Sequence, residues 1–262
     1  MARLGQKRLI RLVRLSLPVL VLMVVASGPV LQIARGSICT ISLGLITLTC
    51  PLGFIQTSLA SSSIVLGLVV PTATIVAATI LLGRVFCGWI CPAGNVMQHF
   101  GDVGRSRYLP GLRLTSFFQQ NSTRIVLLGS TLVASAVLRY PVFCVVCPVG
   151  IICRNVISLV HYGSIGLDLL LIPGIVALEL VLAPWCAHIC PLGTTLSVLS
   201  RKSTIVPVID KAKCVVCSIC TKVCSLKVSL IHSRALEDCS KCLECSVRCP
   251  TNAIEWRKRA ES

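Results

Sequence analysis

Four short motifs of the form Cys-Pro-x-Gly recur in a chain of 262 residues that contains 17 cysteines. The first and third motifs are 97 residues apart and the second and fourth are 99 apart, which indicates an internal duplication. Three of the motifs have a second cysteine three or four residues upstream. The motifs occupy residues 50–53, 91–94, 147–150 and 190–193, and the upstream cysteines are Cys87, Cys144 and Cys186.

This motif suits a cysteine that binds an anionic iron–sulfur cluster. Proline holds the preceding cysteine in an extended conformation and favours the first position of a helix. The sulfur then lies at a helix N-terminus, where free N–H groups and the positive end of the dipole favour an anion. Glycine two positions after the proline lets the backbone approach the cluster. Since thiolates hold such clusters, the motifs predict [4Fe–4S] ligation in preference to inert buried cysteines.

The cysteines of these motifs divide into an inner and an outer set according to the topology predicted below. The inner set supplies four thiolates, enough for one cluster on the cytoplasmic side: Cys87, Cys91, Cys186 and Cys190. The outer set faces an oxidising side, where disulfides persist, and its Cys-x2-Cys pair is also typical of a redox-active dithiol. The shared motif favours a second cluster there, with disulfides and a dithiol as alternatives. The outer set comprises Cys39, Cys50, Cys144 and Cys147, with Cys153 as a spare.

Eight further cysteines follow the spacing of the bacterial two-cluster ferredoxin. In such runs the fourth cysteine of each run binds the cluster of the other run. The first cluster is therefore predicted on Cys214, Cys217, Cys220 and Cys249, and the second on Cys239, Cys242, Cys245 and Cys224. The first run ends in Ser225 instead of proline, which removes no ligand. Four-cysteine zinc sites are the alternative, and they need only paired Cys-x2-Cys.

Composition predicts a membrane protein around these thiols. Hydrophobic residues make up 55 % of the chain and charged ones 13 %, and the mean hydropathy is +0.88. The net charge of +16 comes largely from basic residues before the first apolar run and after position 200. Aromatic residues are only 5 %, so positive-inside topology explains the charge better than nucleic-acid binding.

Four apolar segments are long enough to span a bilayer core of ~30 Å, which needs about 20 residues. They are residues 15–34, 64–83, 125–143 and 165–185. The loop between the second and third carries five arginines, and short arginine-rich loops stay cytoplasmic. Both termini are therefore predicted inside the cell. A cleaved leader over residues 1–28 is the alternative for the first segment, but its uncharged stretch is longer than a normal signal core.

Residues 36–63 are uncharged and rich in serine, threonine and glycine. Irregular backbone at membrane depth is tolerated only where it is packed in protein. The segment is therefore predicted as a re-entrant or interface-lying loop.

Two other residues are weaker candidates for function. Glu179 lies in the fourth apolar segment, where a carboxylate is a candidate for proton or quinone chemistry; an interhelical hydrogen bond is the alternative. His188, between Cys186 and Cys190, is a candidate to tune a cluster or to stand at an interface.

The sequence resembles the polyferredoxin membrane proteins of the NapH/NosR type over about residues 65–256. The resemblance rests on Cys87-Gly-Trp-Ile-Cys91-Pro and Cys186-Ala-His-Ile-Cys190-Pro, followed by the double ferredoxin run. It implies a four-helix membrane core, cytoplasmic [4Fe–4S] clusters and electron exchange with a quinol or a partner protein. The chain departs from the pattern in lacking a flavin-binding extracytoplasmic domain and in having the additional outer cysteines.

Together these observations predict an all-α membrane core of four transmembrane helices, built as two repeats (about 15–110 and 124–204) with re-entrant Cys-Pro loops. A small α+β ferredoxin domain of the 2[4Fe–4S] type follows over residues 205–262, on the cytoplasmic side of a prokaryotic membrane. The expected function is electron transfer within a membrane redox complex, with a cytoplasmic carrier or oxidoreductase, other subunits, the lipid bilayer and a quinone as candidate partners. The alternatives are a maturation or metal-reduction factor and a thiol–disulfide carrier that uses the outer cysteines.

Overall fold

The computed structural model describes residues 2–30, 34–37, 40–43, 46–91, 94–95, 121–181, 189–226, 228–231 and 236–258. Its first half contains α1 (Ala2–Val30), β1 (Ala34–Ser37), β2 (Thr40–Leu43), β3 (Ile46–Thr49), α2 (Pro51–Ser61) and α3 (Val69–Leu82). A π-helical turn follows at Phe86–Ile90. The second half contains α4 (Asn121–Leu138), α5 (Val142–Val146), α6 (Pro148–Tyr162), α7 (Leu171–Val181) and α8 (Pro191–Ser200).

The C-terminal part is a small domain of two strands and short helices. Strand β4 (Ile205–Ile209) pairs antiparallel with β5 (Ile254–Lys258), with Ile205 opposite Lys258. Between them lie α9 (Ile219–Lys222), a 3-10 turn at Leu236–Asp238 and α10 (Glu244–Arg248). Helices α9 and α10 pack together. The core of this domain contains Leu226, Val228 and Leu230.

The prediction of four membrane-crossing helices is wrong. Across the ranges that the structure describes, no helix combines the length and the hydropathy that a membrane crossing needs. Helix α3 has 14 residues, which rise about 21 Å, because residues 66–68 form a 3-10 turn and Gly83, at φ +70°, ends the helix. The described part of α7 has 11 residues, which rise about 17 Å.

The other two predicted spans are shortened by polar residues and by proline. Helix α1 has 29 residues, but its N-terminal half is basic and only the part after Arg14 is continuously uncharged. Helix α4 begins with the polar residues 121–124 and ends before Pro141. Runs of apolar sequence therefore overstated the length of the helices they contain.

The three strands β1, β2 and β3, which form an antiparallel sheet, and the helix α2 that follows them stand where an irregular loop is predicted for residues 36–63. The order of the sheet is β1-β2-β3, with Ala34 opposite Leu43 and Thr40 opposite Thr49. The alternation of apolar and polar residues over 40–43 and 46–49 is the period-two pattern of a strand. The sequence contains this strand pattern, but the serine, threonine and glycine content of the segment favoured the prediction of a loop.

The helices pack so that the four Cys-Pro motifs lie near one another. Helix α1 packs on α6, α2 packs on α4, and α8 packs on both α3 and α4. Ile151 of α6 and Ile175 of α7 form a buried cluster against which Cys190 packs. Three of the helices begin at a proline of a motif, which places each preceding cysteine at a helix N-terminus.

Candidate iron–sulfur sites

The backbone of the four motifs repeats in pairs, as the spacing in the sequence predicts. Cys50 has φ −61° and ψ 126°, and Cys147 has φ −62° and ψ 124°. Cys91 and Cys190 form the second pair, with φ −69° for both and ψ 114° and 113°. All four are extended, as expected for a residue before proline.

The sulfur atoms of Cys91 and Cys190 each accept a hydrogen bond from the glycine of their motif. The N–H of Gly94 donates to Sγ of Cys91 at 3.2 Å, and the N–H of Gly193 donates to Sγ of Cys190 at 3.4 Å. These are N–H groups that a helix leaves without an internal partner. The interaction favours a thiolate, and so does the dipole of the helix.

The glycine of the motif is required by a second, steric constraint. A Cβ at Gly94 would lie 2.4 Å from the carbonyl oxygen of Cys87, and a Cβ at Gly150 would lie 2.4 Å from that of Cys144. Both distances are far inside van der Waals contact. The upstream cysteine and the start of the following helix can therefore approach one another only when the fourth residue is glycine.

The free thiols of both predicted sets gather in one buried region. Burial, with smaller contributions from the nearby thiols of Cys147 and Cys87, raises the pKa of Cys50 to about 12, although the N–H of Gly53 acts to lower it. Burial also raises the pKa of Cys190, again with a contribution from Cys147 and Cys87. The same holds for Cys91, whose pKa is raised by burial and then by Cys87. The structure thus brings Cys50 and Cys147 of the outer set close to the inner set instead of placing them apart.

Of the remaining cysteines in the two sets, one forms a disulfide, and the others lie outside the part of the chain that the structure describes. Cys144 is disulfide-bonded, which is one of the alternatives that the sequence left open for the outer set. The predictions for Cys39, Cys186 and His188 lie outside the described residues, and so do those for the side chains of Cys153 and Glu179.

In the C-terminal domain the two cysteine runs share the same turns. Residues two and four positions after the first cysteine of each run have positive φ: Val216 (52°) and Ser218 (58°) in the first, Lys241 (52°) and Leu243 (62°) in the second. Left-handed residues in such loops turn successive N–H groups toward one side, which suits an anion. In the second run the N–H of Lys241 donates to Sγ of Cys239 at 3.4 Å.

One cavity brings together the four cysteines predicted for the second cluster. It has a volume of about 30 Å³, and its lining includes Cys224, Cys239, Cys242 and Cys245, together with Cys220 of the set predicted for the first cluster. Burial, with smaller contributions from the thiols of Cys242 and Cys224, raises the pKa of Cys239 to about 12, although the N–H of Lys241 acts to lower it. The fourth cysteine of the first run thus joins three of the second, which fits the donor set of a [4Fe–4S] cluster. In the parts of the chain that the structure describes, no three histidine, cysteine or acidic side chains are arranged to hold a single metal ion.

The four cysteines predicted for the first cluster have a more open environment. Cys217 is exposed, whereas Cys214, Cys220 and Cys249 are half-buried. For Cys249, burial acts to raise the pKa, but hydrogen bonds from the N–H of Ala253 and the hydroxyl of Thr251 outweigh it, so the pKa is lowered.

A buried carboxylate joins the C-terminal domain to the helices. Asp238 Oδ1 accepts hydrogen bonds from Arg84 at 3.0 Å and Ser197 at 2.7 Å, and Oδ2 accepts from Arg124 at 2.8 Å. Asp238, Arg84 and Arg124 are 4 %, 1 % and 8 % exposed. We call Asp238, Arg84, Arg124 and Ser197 the Asp238 cluster. Burial acts to raise the pKa of Asp238, but the Arg84 charge and the bonds from Ser197 and Arg124 hold it below its ordinary value.

Sequence reasoning missed the Asp238 cluster. In the sequence, Arg84 and Arg124 are two of the five arginines that predict a cytoplasmic loop, and Asp238 is one of nine acidic residues and has no motif around it. The only signal available was its position immediately before Cys239, the first cysteine of the second run.

Comparisons with known proteins point to the same kind of cofactor, a [4Fe–4S] cluster. Residues 63–110, 122–161 and 169–207 match the 4Fe-4S binding domain family. The ferredoxin-type protein NapH of Haemophilus influenzae is 30 % identical over 197 residues, which are 69 % of this chain and 64 % of that protein. NapH of Escherichia coli is 29 % identical over 239 residues, 83 % of this chain and 78 % of that protein. An uncharacterised protein of Methanocaldococcus jannaschii is 28 % identical over 193 residues, 72 % of this chain and 78 % of its own length. No solved structure matches the chain.

The repeated Cys-Pro motifs, the paired ferredoxin runs and these relatives define an iron–sulfur electron-transfer protein of the ferredoxin type that binds [4Fe–4S] clusters. Within that class, the chain is similar to the NapH-type polyferredoxins.

Replacement of Asp238 tests how strongly the Asp238 cluster stabilises the fold. Asp238→Asn leaves two buried guanidinium groups without their counter-charge, which is expected to lower the free energy of unfolding by roughly 3–5 kcal/mol. Denaturant titration of the anaerobically purified protein, followed by the visible absorbance of its clusters, measures the change.

The matched control is Asp210→Asn, which breaks the solvent-accessible ion pair with Lys213 (2.7 Å). Exposed pairs contribute little because water and salt screen them, so this variant should unfold like the wild type. Equal destabilisation by the two substitutions would contradict a special role for the Asp238 cluster.

Proposed function

We propose that this protein relays electrons between its ferredoxin domain and its Cys-Pro sites as the iron–sulfur subunit of a membrane redox complex. The observation that carries the proposal is a direct contact between the two kinds of cysteine segment. Trp89, between Cys87 and Cys91, donates from Nε1 to the carbonyl oxygen of Lys241, between Cys239 and Cys242, at 3.0 Å. Electron tunnelling falls steeply with distance, so contact between ligand-bearing segments is what a relay needs.

The cysteines hold the clusters, and the surrounding backbone adjusts their environment. The clusters supply one-electron storage when bound. The two ferredoxin clusters are assigned to the two sets of four predicted from the sequence, and a third to Cys87, Cys91, Cys186 and Cys190. N–H groups directed at sulfur, as from Gly94 and Gly193, stabilise negative charge there and so influence the potential.

The proposed partners follow from the relatives and from the chemistry. NapH and the methylamine utilization protein MauN of Methylorubrum extorquens, the latter 26 % identical over 194 residues, are both named as ferredoxin-type proteins, and ferredoxins exchange electrons with other proteins. By analogy this chain assembles with other subunits. A cytoplasmic electron carrier or oxidoreductase exchanges electrons with the ferredoxin domain, and a quinone is a candidate at the other end.

We also propose that the protein associates with the prokaryotic cytoplasmic membrane, with its ferredoxin domain on the cytoplasmic side. Large apolar side chains are exposed on α1, α4 and the 3-10 turns before α3 and α7, among them Met23 (66 %), Val137 (75 %), Leu66 (81 %) and Leu167 (85 %). An apolar surface of this extent marks a protein or lipid interface. The chain should therefore sediment with membranes from lysed cells, and its recovery in the supernatant without detergent would contradict this location.

Iron and acid-labile sulfide analysis of the anaerobic protein tests the relay. Three [4Fe–4S] clusters require about twelve irons per chain, and about sixteen would add a second cluster at the Cys-Pro motifs. Cys245→Ala and Cys91→Ala should each remove about four irons, because each loses one cluster.

The control for these losses is Cys153→Ser. Cys153 is not among the four cysteines of the inner set or the four of the outer set, so its replacement should leave the iron content unchanged. A wild-type content of about eight irons, with no loss in Cys91→Ala, would show clusters only in the ferredoxin domain. That result would refute the relay.

A second candidate function is outward transfer of reducing equivalents by thiol–disulfide exchange. The observation that favours it is the disulfide of Cys144. Two electrons and two protons convert a disulfide to two thiols, and the clusters would deliver the electrons one at a time. Maleimide labelling of thiols before and after reduction of the clusters with dithionite distinguishes the candidates: a gain of two thiols that is absent in Cys144→Ser supports exchange, and unchanged labelling refutes it.

A further inference from the structure

The second cysteine run lies directly against the second Cys-Pro motif. A Cβ at Gly88 would lie 2.5 Å from the carbonyl oxygen of Ser240, so the two backbones touch with no side chain between them. Gly88 follows Cys87, and Ser240 follows Cys239. Cys87 is 7 % exposed and Ser240 is 3 % exposed, so the contact is shielded from solvent.

Several charged side chains hold this contact in place. Arg14 of α1 donates from Nε to the carbonyl oxygen of Gly88 at 3.3 Å, and its guanidinium lies 3.6 Å from the carboxylate of Glu244. The Arg14 side chain thereby links the segment of the second Cys-Pro motif to the second cysteine run. The Asp238 cluster anchors the residue before Cys239, and Lys241 donates from Nζ to the carbonyl oxygen of Ile205. The segment 238–244 is thus fixed at both ends and in the middle.

The first cysteine run has the opposite environment although its turns are the same. Val215 and Val216 are 63 % and 67 % exposed, and Cys217 between the first two turns of the run is exposed as well. The two runs therefore differ in what surrounds them: the second faces the Cys-Pro motif, and the first faces solvent.

We propose that the Gly88–Ser240 contact is the passage for electrons between the ferredoxin domain and the Cys-Pro sites, and that it fixes the order of the relay. The run with Cys239, Cys242 and Cys245 exchanges electrons with the site at Cys87 and Cys91, and the run with exposed Cys217 exchanges them with the external carrier. Each event moves one electron: the centre on one side of the contact is oxidised, the centre on the other is reduced, and no bond or proton changes place. This order rests on the proposed relay.

In this arrangement Gly88 is a positioning residue. Any side chain at position 88 must separate the two backbones, because its first carbon would meet a backbone oxygen. Gly129 of α4 provides a matched comparison, since a Cβ there would have no atom within 4 Å.

The test uses the full-length protein, reduced anaerobically, and electron paramagnetic resonance of its clusters. In the wild type we expect a splitting of the signals from spin coupling between the ferredoxin centre and the Cys-Pro centre. Gly88→Ala should lose this splitting and slow the electron exchange between the two centres several-fold, with the iron content unchanged. Gly129→Ala should retain both properties.

Trp89→Phe keeps an aromatic side chain, though a smaller one, and removes the N–H that bonds to Lys241, so it tests the contact if Gly88→Ala fails to fold. We expect it to weaken the splitting. The order of the relay is tested separately, since Cys217→Ala should leave the splitting in place and Cys242→Ala should abolish it.

The outcomes separate this inference from the function on which it rests. A wild type without iron at the Cys-Pro motifs would refute the relay itself. Iron at those motifs together with an unchanged splitting in both Gly88→Ala and Trp89→Phe would overturn the passage. A splitting that disappears in Cys217→Ala and survives in Cys242→Ala would reverse the order.

Discussion

The buried carboxylate of Asp238 is the interaction on which the arrangement of the two cysteine systems depends. Arg84 and Arg124 come from separate parts of the helical region, and neither can be buried without a counter-charge except at a large energetic penalty. Asp238 satisfies both only where it lies between them. Because Asp238 immediately precedes Cys239, the electrostatic requirement of the arginines also determines where the second ferredoxin run lies.

The Cys-Pro-x-Gly motif solves a different problem, which is to hold sulfur in a buried place. Burial raises the pKa of these thiols, so without metal they are held in the neutral form. The N–H group at the helix start acts in the opposite direction and stabilises the thiolate. Binding of iron must therefore release protons, and the motif lowers the energy needed to do so. The same glycine that supplies the N–H is also the residue that permits the close approach of Cys87 or Cys144.

The sequence makes its most definite predictions about the site where local chemistry specifies it. The spacing of the repeats predicts that Cys50 and Cys147 have the same backbone conformation, and likewise Cys91 and Cys190. The ferredoxin pattern predicts the grouping of Cys224 with Cys239, Cys242 and Cys245. The membrane spans were wrong because apolar composition does not locate helix ends; Gly83 and Pro141 do. The proximity of Cys50 to Cys87 depends on how α2, α4 and α8 pack, which no motif encodes.

The two ferredoxin runs show how far a motif can define a function and where tertiary structure takes over. The cysteine spacing predicts two equivalent sites, and the structure agrees locally, because Val216 and Lys241 occupy equivalent left-handed positions in the two runs. Yet Val216 is 67 % exposed and Lys241 is 6 % exposed. The difference arises because the helical region packs against only the second run, through contacts made by Arg14, Arg84, Gly88 and Trp89. A chain that needs electrons to enter at one end and leave at the other can therefore use a symmetric pair of sites, provided that one neighbour breaks the symmetry.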